Sequence, residues 1–346
     1  MANMNVRTSR FYTDHINYLM SRGIAQDGNF DVTATHAGNG FMGTFTTGSE
    51  AELFDMKPLN KCTFDTSADT DGHVLINIDT QSVYSKKSFV AILNHNMASA
   101  DAKVLIKASD TESHIQAVDM GSATAMSNPA EVVNADTIAS SIVTPATDGH
   151  TIVRFDESND KFWGIQFEGN SSNTFSSTDL FVGCILLGEY YEMPHAPDLS
   201  VKRSIMFDKT KLQESVGGQR YSNMTSHGRH SSSTSRSPFS TANTGYSTNG
   251  GRLAYDLNFS FLNSTDVMPD EYDTWNVSDD SVVEDVWNHT NGPHLPFIFS
   301  IDNSTGEEGD NAETQHMFAR FGQQSLDMTQ VANDIWNISM RIEEEL

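Results

Sequence analysis

Cysteine is nearly absent. Cys62 and Cys184 are the only two in 346 residues, far apart and in no metal-ligand spacing. That excludes a disulfide framework, and Cys184, set inside the apolar run FVGCILLG, reads as a small buried hydrophobe. Long hydrophobic runs are missing as well. No stretch approaches the ~18 to 20 apolar residues of a membrane span, and the N-terminal MANMNVRTSRFYTDHINYLM has no apolar signal core. The expectation is a soluble chain made in a cytoplasm. Cations are scarce: 21 Lys and Arg face 46 Asp and Glu, for a net charge of -25. Such a surface repels phosphate backbones, which excludes nucleic-acid binding through a broad basic face. It also suits a salty, marine or halophilic setting.

Reactive motifs are missing too. There is no His-Glu-x-x-His, Cys-x-x-Cys, Gly-x-Ser-x-Gly or P-loop. The expectation is a non-enzyme with no catalytic residue, no cofactor and no metal.

What the sequence does contain is strands. Helical periodicity is rare, while short alternating or continuously apolar runs recur between Gly, Asn, Asp and Ser. In the first part these are VLINI at 74–78, SFVAILNHNM at 88–97, KVLIKAS at 103–109, TIVRF at 151–155, FWGIQFEG at 162–169 and DLFVGCILLGEYY at 179–191. Their spacing predicts a β-sandwich of jelly-roll type. The run from Phe181 to Leu187 has no polar face and predicts a central strand buried on both sides.

Residues 222–250 are dominated by Ser, Thr, Asn and Gly. They cannot bury enough apolar surface to offset the entropy of ordering them, so they read as a loop or arm. Beyond them, Leu253, Tyr255, Leu257, Phe259 and Phe261 alternate with polar residues, as do Trp336, Ile338, Met340 and Ile342: two half-buried strands. PFIFSI at 296–301 and HMFARFG at 316–322 add two more. SDDSVVEDVWNHT predicts a short helix with Val283, Val286 and Trp287 on one face, behind the N-cap candidates Ser278 and Asp279. The organisation is therefore mainly β: an N-terminal segment 1–24, a sandwich over 25–221, the arm 222–250, and a smaller C-terminal α+β unit with an antiparallel sheet over 251–346.

Several residues invite a functional reading. His95 in ILNHNM reads as a histidine satisfying backbone groups where a strand ends. His227 and His230, flanking Arg229, read as solvated loop residues. Asp65, Asp69 and Asp71 before Gly72 hint at a calcium loop but lack the bidentate Glu of an EF-hand, since Ile78 stands there. Gly217-Gly218 reads as a turn. Trp163, Tyr190 and Tyr191 are the candidate glycan contacts, because sugar grooves display exposed aromatics.

Two segments carry a family resemblance. FVAILNHNMASADAKVLIKASD with DLFVGCILLGEYYEMP resembles the discoidin-like or carbohydrate-binding-type sandwiches found within phage tail proteins. GGRLAYDLNFSFL, the short helix, GPHLPFIFSID, MFARFG and NDIWNISMRIEEEL follow an order similar to that of minor and distal tail proteins of tailed, especially marine, bacteriophages. The resemblance implies a virion protein of the tail tip or baseplate. It also implies a homo-oligomeric, hexameric ring whose partners are the tail tube protein and hub or fibre proteins. The alternative it leaves open is an adhesin binding a host glycan.

Overall fold

β-Branched and aromatic runs at period two set the architecture, and a computed structural model of the chain is mainly β, with its strands paired antiparallel. It describes residues 8–23, 30–36, 45–68, 70, 72–81, 86–207, 210–224, 252–269, 280–302 and 316–345. The first strands are β1 (Arg10–Asp14), β2 (Phe30–His36), β3 (Gly72–Asp79), β4 (Lys87–His95) and β5 (Ala102–Ser109). Next come β6 (Ala130–Val133), β7 (Gly149–Ser158), β8 (Phe162–Gly169), β9 (Cys184–Glu192) and β10 (Lys202–Met206). The C-terminal part supplies β11 (Arg252–Asn263), β12 (Phe297–Ser300), β13 (His316–Phe321), β14 (Asp327–Ala332) and β15 (Ile335–Glu344).

An eleven-stranded sheet runs β10–β11–β15–β13–β12–β1–β9–β4–β7–β6, with β14 added against β15. A seven-stranded sheet has β5–β8–β3–β2 along its path. Strands β3, β4 and β5 and then β7, β8 and β9 alternate between the two sheets, in keeping with a β-sandwich, while β6 pairs with β7 at the edge of the large sheet. Side-chain alternation then builds the core. Val90, Ile92, Val153, Ile185 and Leu187 of the large sheet meet Val74, Ile76, Val104, Ile106, Ile165 and Phe167 of the other. The N-terminal part is a β-sandwich.

The same face of β9 continues from Leu187 through Glu189 to Tyr191, which enters a second core. There Phe11, Tyr255, Leu257, Phe259, Phe297, Phe299, Ile338, Met340 and Ile342 pack with Val282 and Val286 of a π-helix, Val282–Asn288. On the opposite face Cys184 and Leu186 join Tyr12, Phe89, Ala91 and Ile298. From Cys184 to Leu187 the strand is thus buried on both sides, as the apolar run predicts, but Phe181 and Val182 belong to a separate three-stranded sheet and Phe181 is only half-buried, so the central strand is shorter than the run.

Strand β1 joins the two parts. Arg10 to Asp14 pair with Glu192 to Gly188 on one side, and Arg10 to Tyr12 pair with Ser300 to Ile298 on the other. Residues of the 1–24 segment therefore form a central strand, and one continuous sheet connects the 25–221 and 251–346 regions. Gly188 makes that pairing possible, because a Cβ there would sit 1.9 Å from the Thr13 carbonyl oxygen.

Two local expectations are corrected. Phe261 does not follow Phe259 into the core: it lies at φ 65° in a β-bulge, is exposed, and hands its place to the buried Leu262. The N-cap of the helix is Ser281, whose Oγ accepts from the Glu284 N–H. Ser278 and Asp279 lie outside the described residues, as do Asp69, Asp71 and residues 225–250 with His227 and His230.

Candidate functional site

Strand β10 closes one end of the large sheet and pairs with β11 alone among the described residues. Its other edge offers unpaired N–H and C=O groups, the usual template for a further strand. Just beyond, Thr210–Glu214 and Arg220–Met224 form a hairpin that, among the described residues, pairs only with itself. It turns at Gly217-Gly218, with Gly218 at φ +81°. The hairpin buries none of its described side chains: Leu212 is 72% exposed and Tyr221 56%. Leu199, Ile205, Phe207 and Val216 are exposed in the same stretch. An isolated two-stranded hairpin is marginally stable in water, and among the described residues nothing covers the apolar side chains placed along this one. In sequence the stretch also carries Lys202, Arg203, Lys209, Lys211 and Arg220 against Asp208 and Glu214, in a chain of net charge -25.

The three aromatics singled out as glycan contacts do not come together. Trp163 lies in the sandwich core, 1% exposed, donating its indole N–H to the Asp160 carbonyl at 2.9 Å and packing 5.3 Å from Phe155. A cleft of ≈ 170 Å³ abuts it, lined also by Thr124, Asp156 and Glu157, but the ring itself is covered. Tyr191 points into the C-terminal core and donates its hydroxyl to the Asp266 carbonyl at 3.2 Å. Tyr190, its neighbour on β9, points to the opposite face and lies beneath Arg10. Burial, the alternation of β9 and the separate sheet of Trp163 leave no common groove among them.

A cluster not foreseen from the sequence sits where the two cores meet. Glu189 on β9, Asp285 on the π-helix and His289 at its C-cap are all buried, and one potential ligand atom from each lies within 4.8 Å of the others. Burial, then the Asp285 charge, pushes the Glu189 carboxyl well above the carboxylate range, against the pull of Lys86. Burial raises Asp285 as well, opposed by the Ser281 N–H it accepts. Desolvation holds His289 down to about 4. Neighbouring cations make their closest contacts elsewhere, while their charges still act on Glu189. Lys86 pairs with Asp280 and, at 3.5 Å, with Glu157, while Lys87 donates to the Asp160 carbonyl at 3.1 Å. Only the four-residue spacing of Asp285 and His289 was visible in the sequence; Glu189 reaches them through the fold.

A second group, His73, Asp119 and Glu168, differs in kind. Glu168 is paired with Lys103 at 3.1 Å and His73 at 3.3 Å. Burial pulls Glu168 upward, but those two partners outweigh it and its pKa falls. This is a compensated ion-pair network.

Among known proteins, no family model matches the chain, and no curated protein matches it. Solved structures give a distant likeness. Chitosan-binding module 1 from a chitosanase/glucanase of Paenibacillus sp. IK-5 is 14% identical, with a TM-score of 0.27, covering 46% of this chain and 96% of the module. A selenomethionine-labelled mutant of that module is 11% identical, with a TM-score of 0.28, covering 51% and 98%. Scores this low carry no inference about ligand.

Proposed function

We propose that this chain is a structural subunit that assembles with further copies of itself. The bacteriophage tail tip is the setting its sequence resembles, with tube protein and hub or fibre proteins as neighbours. The observation supporting this reading is the unpaired edge of β10 together with the apolar hairpin beside it. A free strand edge gives a second subunit backbone hydrogen bonds and register, and the side chains of Leu212, Val216 and Tyr221 give it area to bury. A ring requires that a different surface of the next copy receive this edge, a heterologous contact whose rotation closes. Charge favours the same arrangement: a locally basic arm docks on the acidic body of the next copy.

Sedimentation velocity and negative-stain microscopy of the full chain, alone and with tube protein, test the reading. The expected result is rings or higher species that revert to monomer in the double variant Leu212→Asp/Tyr221→Asp, with its thermal midpoint retained. A wild-type chain that stays monomeric at every concentration and with tube protein would rule the reading out.

A further inference from the structure

We propose that Glu189, Asp285 and His289 bind one divalent transition cation of the zinc class, clamping the π-helix to strand β9. The first support is geometric. The three donors come from two separate elements and converge to within 4.8 Å. Asp285 and His289 stand four residues apart, which keeps both on the helix face turned toward the sheet. Zinc bonds of ~2.0–2.2 Å at tetrahedral angles set ligand atoms roughly 3.5 Å apart, so side-chain adjustments of about 1 Å close the set.

The second support is an unanswered buried acid. Glu189 is 8% exposed, and its carboxylate has no hydrogen bond or ion pair among the described residues. It nevertheless points at Asp285 and His289. Buried carboxylates are ordinarily paired or metal-bound. The His73 group of this same protein illustrates the paired solution, with Lys103 in place; in the Glu189 group Lys86 and Lys87 act on the carboxylate through their charge, but no ion pair reaches it among the described residues.

Donor chemistry selects the ion. One imidazole nitrogen and two carboxylate oxygens suit zinc, whereas calcium takes six to eight oxygens. Glu157, Glu189 and Asp280 form an overlapping acidic group, but two of those three are exposed and both already face Lys86. That favours the histidine-containing set.

A cation held here stabilises the seam between the sandwich and the C-terminal core, because it links the sheet strand that serves both cores to the helix of one. The inference does not depend on how the chain assembles. The test uses the full chain, stripped with chelator and dialysed against zinc. Elemental analysis is expected to find one zinc per chain, and saturation about a hundredfold above Kd to raise the melting midpoint by roughly 4 °C. Glu189→Gln, which keeps the shape of the side chain, is expected to fold with the wild-type circular dichroism spectrum while losing both the bound zinc and the shift. His289→Ala is expected to lose them as well. No stoichiometric zinc in the wild type overturns the proposal. So does a Glu189→Gln variant that keeps its zinc, or a shift produced equally by calcium.

Discussion

The Arg10 guanidinium lies over the ring of Tyr190, 4.8 Å from its centroid. Arg10 is itself buried, and its Nε donates to the Glu192 carboxylate at 3.2 Å while Nη1 donates to the Tyr12 hydroxyl at 3.3 Å. The face of Tyr190 that a sugar ring would need is therefore occupied by a cation of the same protein. Tyr190→Ala is expected to cost about 2 kcal/mol, combining lost ring burial with a lost cation–π contact. Urea unfolding measures the cost, and a glycan array run in parallel should show no change caused by the substitution. A variant of wild-type stability that loses glycan binding would contradict this placement.

His95 makes the fold acid-sensitive. Its Nδ1 accepts from the Met97 N–H at 3.2 Å, so its Nε2–H donates to the Thr151 hydroxyl at 2.9 Å. Burial holds its pKa down to about 3. A base whose folded pKa lies below the unfolded ~6.5 contributes full stability above pH ~6.5, and that contribution drains as pH falls toward 3. The slope approaches about 1.4 kcal/mol per pH unit for one such group. His289, held down to about 4, adds in the same sense. Unfolding midpoints between pH 7 and 4 should fall in the wild type and fall less in His95→Gln. Identical slopes would refute the assignment.

Gly188 should tolerate no side chain. The oxygen it would meet belongs to Thr13, on the strand that unites the sheet, and is held by backbone pairing. Gly188→Ala is expected to destabilise by about 3 kcal/mol or more, since neither backbone can retreat without breaking the ladder. Soluble yield and thermal midpoint report it. A midpoint within a degree of wild type would show that β1 moves freely.

Much of this architecture was legible in local sequence. Period-two alternation marked β11 and β15, and the unbroken apolar run marked β9 as central, because burial on one or two faces leaves a direct imprint on residue order. Phe261 escaped that logic, since a bulge adds a residue and inverts the pattern after it. The position of β1 escaped as well. Nothing near Arg10–Asp14 encodes a pairing with residues 188–192 and 298–300. The Glu189 cluster was hidden for the same reason, with its members separated by almost a hundred residues, and Trp163 alternated as a core residue does, so only the fold could decide against its display.

Because β1 is hydrogen-bonded on both flanks, tension entering at the β10 end has a direct route to the sandwich. It passes laterally from ladder to ladder through β11, β15, β13, β12 and β1 into β9, with no linker along the way. A fragment stopping after β9, or starting at β11, would carry a raw hydrogen-bonding margin where β1 or its neighbour had been. Trimming the first fourteen residues would leave two such margins facing each other across an empty lane.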